Sequence, residues 1–476
     1  MASAFFQPVF SRPSPHLHPQ QPSYLKELRT MTSTSSPVSI YNSSTTPSHL
    51  PWNTYNYCNA PHVSSRHYQV PEQAQGGKAE LVYLNVIQRH HKRTPDNLYP
   101  RENELNSQEW DCSDYRQVNY GVDLGSSGPS NQIYHKTNTP SWHPLVPLFW
   151  NGTCDQGQLT SGGLRDAVQK GKDFFSVYGP NGPSPLLRRG IHENDVLFRT
   201  SNSDRTYSVA GGILKGMGHV GGSFPVHTQP SSIDSLVPNY SCSYANRIRE
   251  AFQDVAEWKD HLASKAQLFD SLNQVVGTGS RSDWNSWIDH HFDALASRQC
   301  SGHDLPTNPM TGSRVTQEMA DQVYLEGDWE YDYIWNRAEG ADEYVKYGFG
   351  VFLQELANNL KAFRDQVETF KLKYYVGHDG TMVRLLKSLA QSGSIRWPAL
   401  GSEVILEVWR SVDDKSKGGK KLDHHVRILS YGQTLRSEAK LLTNAKGLAD
   451  WVPLDDVIRH LEGRVPQDLL EKCTSS

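Results

Sequence analysis

Leu81-Val82-Tyr83-Leu84-Asn85-Val86-Ile87-Gln88-Arg89-His90-His91-Lys92-Arg93-Thr94-Pro95 decides how the rest of the chain is read. Leu81 to Ile87 are β-branched, aliphatic or aromatic apart from Asn85, which predicts a strand buried on both faces. Five consecutive cationic or imidazole side chains then follow, Arg89 to Arg93. Packing does not account for them, because adjacent like charges repel. An anion held at the carboxyl end of the strand does, and open α/β sheets place their ligands there.

The turn has a specific chemistry. Arg89 and Arg93 each offer a planar fork of donors that fits phosphate oxygens. His90, between them, can attack phosphorus through a neutral ring nitrogen. The two guanidiniums would also stabilise charge on the equatorial oxygens during transfer. A solvated basic loop is the bland alternative, and a second half of the site elsewhere in the chain decides against it.

That second half comes in two pieces. Val196-Leu197-Phe198 predicts a short strand running into Arg199-Thr200-Ser201-Asn202-Ser203-Asp204-Arg205-Thr206. Asp204 would cap a helix from Arg205 to about Met217. A cation in the first turn opposes the helix dipole, and a bound anion removes the conflict. Further on, Leu372 to Gly377 predicts another strand, ending in His378-Asp379 and followed by a helix from Met382 to Leu389. His378 could donate to a phosphate oxygen. Asp379 could protonate a departing alkoxide and then activate water.

The turn resembles the R-H-G-x-R-x-P signature of the histidine acid phosphatases. Arg199 and Arg205-Thr206 match that family's R-x-x-x-x-x-R-T element, and His378-Asp379 its terminal H-D. Gln158-Leu159-Thr160, Gly163, Gly171 and Tyr178 match a structural helix segment of the family. The resemblance covers residues 80 to 476. It implies a three-layer α/β/α core of the phosphoglycerate-mutase-like type with an inserted, mostly helical cap. It implies phosphomonoester hydrolysis through a phosphohistidine at His90, with Arg89, Arg93, Arg205 and His378 binding phosphate and Asp379 acting as acid, then base. Arg199 is expected to be structural. No cofactor and no metal are required, since three arginines supply the positive charge. Asp379 is expected to start protonated, which implies an acidic optimum. The mutase-like branch of the same superfamily lacks this Asp as its donor, so a mutase-type transferase is the runner-up. A catalytically silent binding protein on the same fold is the third reading. It draws on one departure: His91 stands where the signature has Gly. His91 and Lys92 are expected to add positive potential at the mouth of the site. Cys58-Asn59-Ala60-Pro61 and Cys154-x-x-Gly157-x-Leu159-Thr160 are similar to the 2-phosphoxylose phosphatase subgroup.

Composition bounds the rest. The 476 residues carry a formal net charge of −4, which gives no general attraction to nucleic acid or to an anionic membrane. Any anion site must therefore be local; the resemblance implies a small phosphorylated substrate as partner, with a sugar or inositol phosphate among the candidates. No stretch approaches the roughly 20 apolar residues of a membrane helix. The N-terminus shows no secretory apolar region, so the chain as written reads as cytoplasmic; a start assigned elsewhere would open the secretory pathway. Six cysteines form no C-x-x-C pair, which argues against zinc and is compatible with disulfides. Sequons at Asn42, Asn151 and Asn239 are compatible with the same compartment.

The organisation follows in order. Residues 1–50 are rich in Ser, Thr and Pro with one acidic residue, Glu27, and predict a disordered tail. Residues 51–224 form the first part of the core. A long aperiodic excursion, 96–147, could wall the pocket. Thr160 caps a helix bearing Leu164, Val168 and Phe175, with Gly163 and Gly171 permitting close approach to a neighbour. Residues 225–367 carry helical spacing and form the cap; the adjacent His290 and His291 point to different faces and predict core or surface roles. Residues 368–476 close the core, with strands at Val404–Trp409 and His425–Leu429, a charged hairpin turn at 413–421 and a helix at Asp455–Leu461.

Overall fold

A computed structural model describes residues 39–475 except 114–117, 121–131, 135–136, 138–139, 141, 220–222, 238–239 and 413–422. Residues 1–38 of the tail expected over 1–50, and the whole charged turn at 413–421, thus lie outside the described residues. The order of the chain begins before Pro51. Ile40 and Tyr41 are buried, and the Ile40 carbonyl accepts the Tyr57 N–H at 2.8 Å. Tyr41 stacks on Tyr324 with ring centroids 4.1 Å apart. Two apolar side chains in an otherwise polar run are enough to seat the segment, which composition alone hid.

Ten strands are described: β1 Ala79–Arg89, β2 Val118–Tyr120, β3 Gln132–Tyr134, β4 Val196–Thr200, β5 Val226–His227, β6 Leu372–Gly377, β7 Glu403–Ser411, β8 His424–Ser430, β9 Gln433–Thr434 and β10 Val452–Pro453. β2 and β3 pair only with each other. The others form one sheet in the order β10-β8-β7-β1-β6-β4-β5, with β9 on β8. β1 lies at its centre, parallel to β6 and antiparallel to β7. β6 continues parallel to β4. The carboxyl ends of β1, β6 and β4 therefore lie side by side, and Arg89 is in register with Gly377.

Helices cover both faces. On one, helices Ser161–Tyr178 and Asp204–Gly216 pack Ala167, Phe174, Val177, Val209 and Ile213 against Leu84, Val86, Phe198 and Tyr374. Gly171 lets these two helices meet: a Cβ there would lie 2.3 Å from the Ile213 carbonyl oxygen. Thr160 caps the first of them, accepting the Gly163 N–H at 3.1 Å. On the opposite face, helix Ala341–Arg364 sends Asn359 between Asn85 and the Tyr375 hydroxyl, at 3.1 and 2.7 Å. Alternate residues of β1 thus serve opposite layers, as a strand buried on both sides requires. The core is the expected α/β/α arrangement. Between β5 and β6 run helices Ser243–Asp254, Ala256–Ser264, Ala266–Val276, Asp289–Cys300 and Gln317–Asp332, before Ala341–Arg364 returns the chain to the sheet.

All six cysteines pair, as Cys58–Cys300, Cys112–Cys154 and Cys242–Cys473. Charged groups inside the core are paired as well. Lys170 meets Glu403 at 2.8 Å, with both side chains buried, and Arg427 meets Glu407 at 2.6 Å. Burial without such partners would cost several kcal/mol per ion. Among the described residues, no helix is long and apolar enough to cross a membrane.

Candidate active site

The sheet brings the separated sequence elements together. His90 follows β1 and His378 follows β6, and their rings face each other edge to face with centroids 5.4 Å apart. Helix Asp204–Gly216 begins just beyond β4 and carries Arg205 in its first turn. Its N-cap position is Ser203; Asp204 is the first helical residue, one later than the capping role expected for it. The Arg89, Arg93 and Arg205 guanidiniums and the His378 ring all act electrostatically on His90.

The tautomer of His90 is fixed by its backbone. Nδ1 lies 2.8 Å from the His91 carbonyl oxygen. A carbonyl only accepts, so the proton is on Nδ1 and the lone pair on Nε2. Burial, followed by the charges of Arg205, Arg89 and Arg93, pulls the imidazole well below its ordinary value. Burial and these charges therefore favour the neutral ring, with its lone pair on Nε2. His378 is pulled down to about 3 by burial and then by Arg205. Its Nε2 lies 2.8 Å from the Ser201 hydroxyl, which in turn lies 3.1 Å from Thr206 Oγ1.

Each arginine is aimed by acceptors. Arg89, 1 % exposed, meets Asp379 Oδ2 at 2.9 Å, donates to the Pro398 carbonyl and lies 3.4 Å from the Tyr57 hydroxyl. Arg93 meets Asp293 Oδ1 at 2.9 Å and Asp96 Oδ2 at 2.8 Å. Arg205 meets Asp96 Oδ1 and the Gly157 carbonyl, at 3.3 and 3.2 Å. Arg199 points away from this group, to Asp234 at 2.9 Å and to Glu355.

Asp379 opens helix Asp379–Ser388, and its Oδ2 also accepts the Trp397 indole N–H at 3.0 Å. Burial raises its proton affinity, but Arg89 and then Trp397 outweigh burial and hold the carboxyl well below the carboxylate range. Paired in this way, Asp379 is held ionised, against the expectation that it starts protonated; the sequence shows neither contact.

His91 and Lys92 are not at the mouth. The His91 ring is fully buried; Gln88 Nε2 lies 3.0 Å from its Nε2 and donates to it. Burial, then Lys170, keeps it neutral. It packs on Gly401, where φ is +70° and a Cβ would stand 2.4 Å from His91 Cε1. Lys92 is spent on Asp166 at 2.8 Å. The added positive potential is therefore absent. The backbone at 91 does not adopt positive φ, so glycine's freedom is not required there. His290 and His291 also keep away from this chemistry: His290 meets Asp289 at 2.8 Å, and His291 is buried against Trp284.

Sequence reading passed over Asp96, Ser201, Asp293 and Trp397 as members of the site. Asp96, three residues after Arg93, carried a signal in its spacing. Asp293 and Trp397 carried none. Among the described residues no group of His, Cys, Asp and Glu could hold a metal ion.

The family model of the histidine phosphatase superfamily, branch 2, matches residues 80–430. Counting factor 60 of Dictyostelium discoideum is 24 % identical over 359 residues, spanning 70 % of this chain and 77 % of that one. The lysosomal acid phosphatase of Bos taurus is 23 % identical over 330 residues, spanning 67 % and 72 %. The apo form of Hafnia alvei phytase superposes with a TM-score of 0.54 at 13 % identity, over 86 % of this chain and 100 % of that one. This chain belongs to branch 2 of the histidine phosphatase superfamily and is a hydrolase of the histidine acid phosphatase type.

Proposed function

We propose that the chain hydrolyses small phosphate monoesters through a phosphohistidine at His90. The observation that carries this reading is the Nδ1 bond of His90, which leaves the Nε2 lone pair of a neutral ring that feels the charges of Arg205, Arg89 and Arg93. Nε2 attacks phosphorus and the ester oxygen leaves. The three guanidiniums hold the equatorial oxygens throughout, and no cofactor enters the reaction.

The leaving alkoxide needs a proton, and Asp379, the H-D aspartate of the resemblance, is the donor on this reading. A phosphoryl group arriving at Arg89 competes with Asp379 for that guanidinium and brings negative charge beside it. Both effects raise the proton affinity of Asp379. A monoanionic ester brings the proton with it, so activity falls as the ester loses its second proton near a pKa of about 6. Asp379, once ionised, activates the water that cleaves the phosphohistidine.

The relatives named as acid phosphatases and phytases support small phosphorylated substrates, sugar or inositol phosphates among them. The three disulfides support maturation in an oxidising compartment rather than the cytosol that the N-terminus suggested.

Hydrolysis of p-nitrophenyl phosphate by the purified chain, with His90→Ala as control, tests the reading. Turnover at mildly acidic pH that is lost in the variant is expected. Equal rates in the two proteins would overturn it. Incorporation of labelled water oxygen into the released phosphate separates hydrolysis from return to an acceptor.

A further inference from the structure

The Asp96 carboxylate sits between two of the arginines assigned to phosphate. Oδ2 is 2.8 Å from Arg93 Nη2 and Oδ1 is 3.3 Å from Arg205 Nη1. Two oxygens of one anion bridging two guanidiniums is the geometry expected of a bound phosphoryl group. We propose that Asp96 is a tethered carboxylate that occupies the phosphoryl subsite between Arg93 and Arg205 and must be displaced by substrate, so that it weakens phosphate binding and promotes product release. The proposal rests on the reading of Arg93 and Arg205 as phosphate ligands.

A purely structural role is the obvious alternative, in which Asp96 aims the arginines. Both are already aimed without it. Arg93 Nη1 meets Asp293 Oδ1 at 2.9 Å and donates to the Thr94 carbonyl at 2.9 Å. Arg205 Nη1 donates to the Gly157 carbonyl at 3.2 Å. Asp96 itself is built to swing. Its backbone N–H is anchored on Asp293 Oδ2 at 2.8 Å, while its side chain is 41 % exposed, lies over Gly157 and has its ion pairs with the two guanidiniums. The side chain can therefore turn to solvent while the backbone stays in place.

Every charged or titratable group facing Asp96 bears on its protonation. Arg93 comes from the turn after β1, Arg205 from helix Asp204–Gly216 and Asp293 from helix Asp289–Cys300. His378 and Asp379 come from the end of β6. Burial raises the affinity of Asp96 for a proton, and Arg93 and Arg205 outweigh it, so the carboxyl lies below its ordinary value. At mildly acidic pH the tether is charged and in place. It lets go only in stronger acid.

The test compares wild type with Asp96→Asn and Asp96→Ala, using inorganic phosphate as the probe. The readouts are its competitive inhibition constant, kcat and KM for p-nitrophenyl phosphate, and the phosphate-dependent rise in melting temperature. At pH 5.5 both variants are expected to bind phosphate about three- to tenfold more tightly, with KM for p-nitrophenyl phosphate lowered in step and kcat lowered to the extent that product release limits turnover. The gap should close as pH falls below the carboxylate range. Binding that is weaker or unchanged in both folded variants would overturn the proposal. So would a hundredfold loss of kcat at unchanged KM, which would place Asp96 in proton transfer. A wild type that binds phosphate without turnover would instead refute the hydrolase reading, and the comparison of melting shifts would still decide the role of Asp96.

Discussion

His91→Gly restores the residue of the family signature and so separates a structural from an electrostatic role for this side chain. The variant removes an imidazole with no exposed surface. Losing a buried side chain of this size costs about 2 kcal/mol. The Gln88 amide donor that His91 accepts at 3.0 Å then has no partner, which adds about 1–3 kcal/mol. Glycine's freedom in the unfolded chain adds about 0.5–1 kcal/mol. The total is about 3.5–6 kcal/mol of stability, read by urea denaturation without reductant. Activity should survive, because the bond that fixes the His90 tautomer comes from the backbone carbonyl of residue 91. kcat/KM for p-nitrophenyl phosphate should stay within about threefold of wild type, on the view that this carbonyl is all the reaction needs from residue 91. The relative rates on mono- and bisphosphates should not change either. Unchanged stability, a shifted substrate preference, or a hundredfold loss of activity in a stable variant would each refute this account.

Three further outcomes follow from the same geometry. Asp379→Asn should lower kcat by about 10²- to 10⁴-fold on alkyl phosphates, and less on p-nitrophenyl phosphate, whose leaving group needs little proton help; equal losses on both would remove Asp379 from proton transfer. Trp397→Phe keeps the ring stacked between Phe292 and Tyr331, at centroid distances of 4.0 and 3.9 Å, but deletes the N–H that Asp379 accepts. Because Asp379 is held below its unfolded value, its stabilisation is present above the ordinary carboxylate range and lost as pH falls through the folded value. The variant should begin to unfold about one pH unit higher in acid, and an unmoved midpoint would contradict the assignment. Glu330 is pushed up to about 8 by burial, while its partner His261 is pulled down to about 4. Between pH 6.5 and 8 only the unfolded chain has already shed the Glu330 proton, so stability should fall as pH rises there. Glu330→Gln should flatten that slope in denaturation curves, and a slope that persists would show the carboxyl to be ionised.

The candidate site's elements were legible wherever strand and chemistry lay next to each other in sequence. The run from Leu81 to Arg93, the Arg205 turn and His378-Asp379 each pair an apolar strand with an unexplained charge, and the parallel order β1-β6-β4 brings their ends together. Contacts between distant segments were not legible. Asp293 lies 200 residues from Arg93, and nothing in helix Asp289–Cys300 marks it as an acceptor rather than a surface acid. Trp397 follows the Asp379 helix in an irregular stretch without periodicity. His91 misled for a related reason: in sequence it is one more cation in a basic run, and only the gap over Gly401 makes it a buried neutral ring. The start of the ordered chain was misjudged because composition averages over a window, and Ile40 and Tyr41 are outvoted by the polar residues around them.

The pairings Cys58–Cys300 and Cys242–Cys473 overlap along the chain, since Cys242 falls inside the first loop and Cys300 inside the second. Every peptide bond from Cys58 to Cys473 therefore lies within at least one closed covalent circuit. A protease that cuts once anywhere in that span leaves a single molecule of unchanged mass, apart from one added water, and two fragments separate only after reduction. A nicked form would thus keep its two halves at unit stoichiometry through purification.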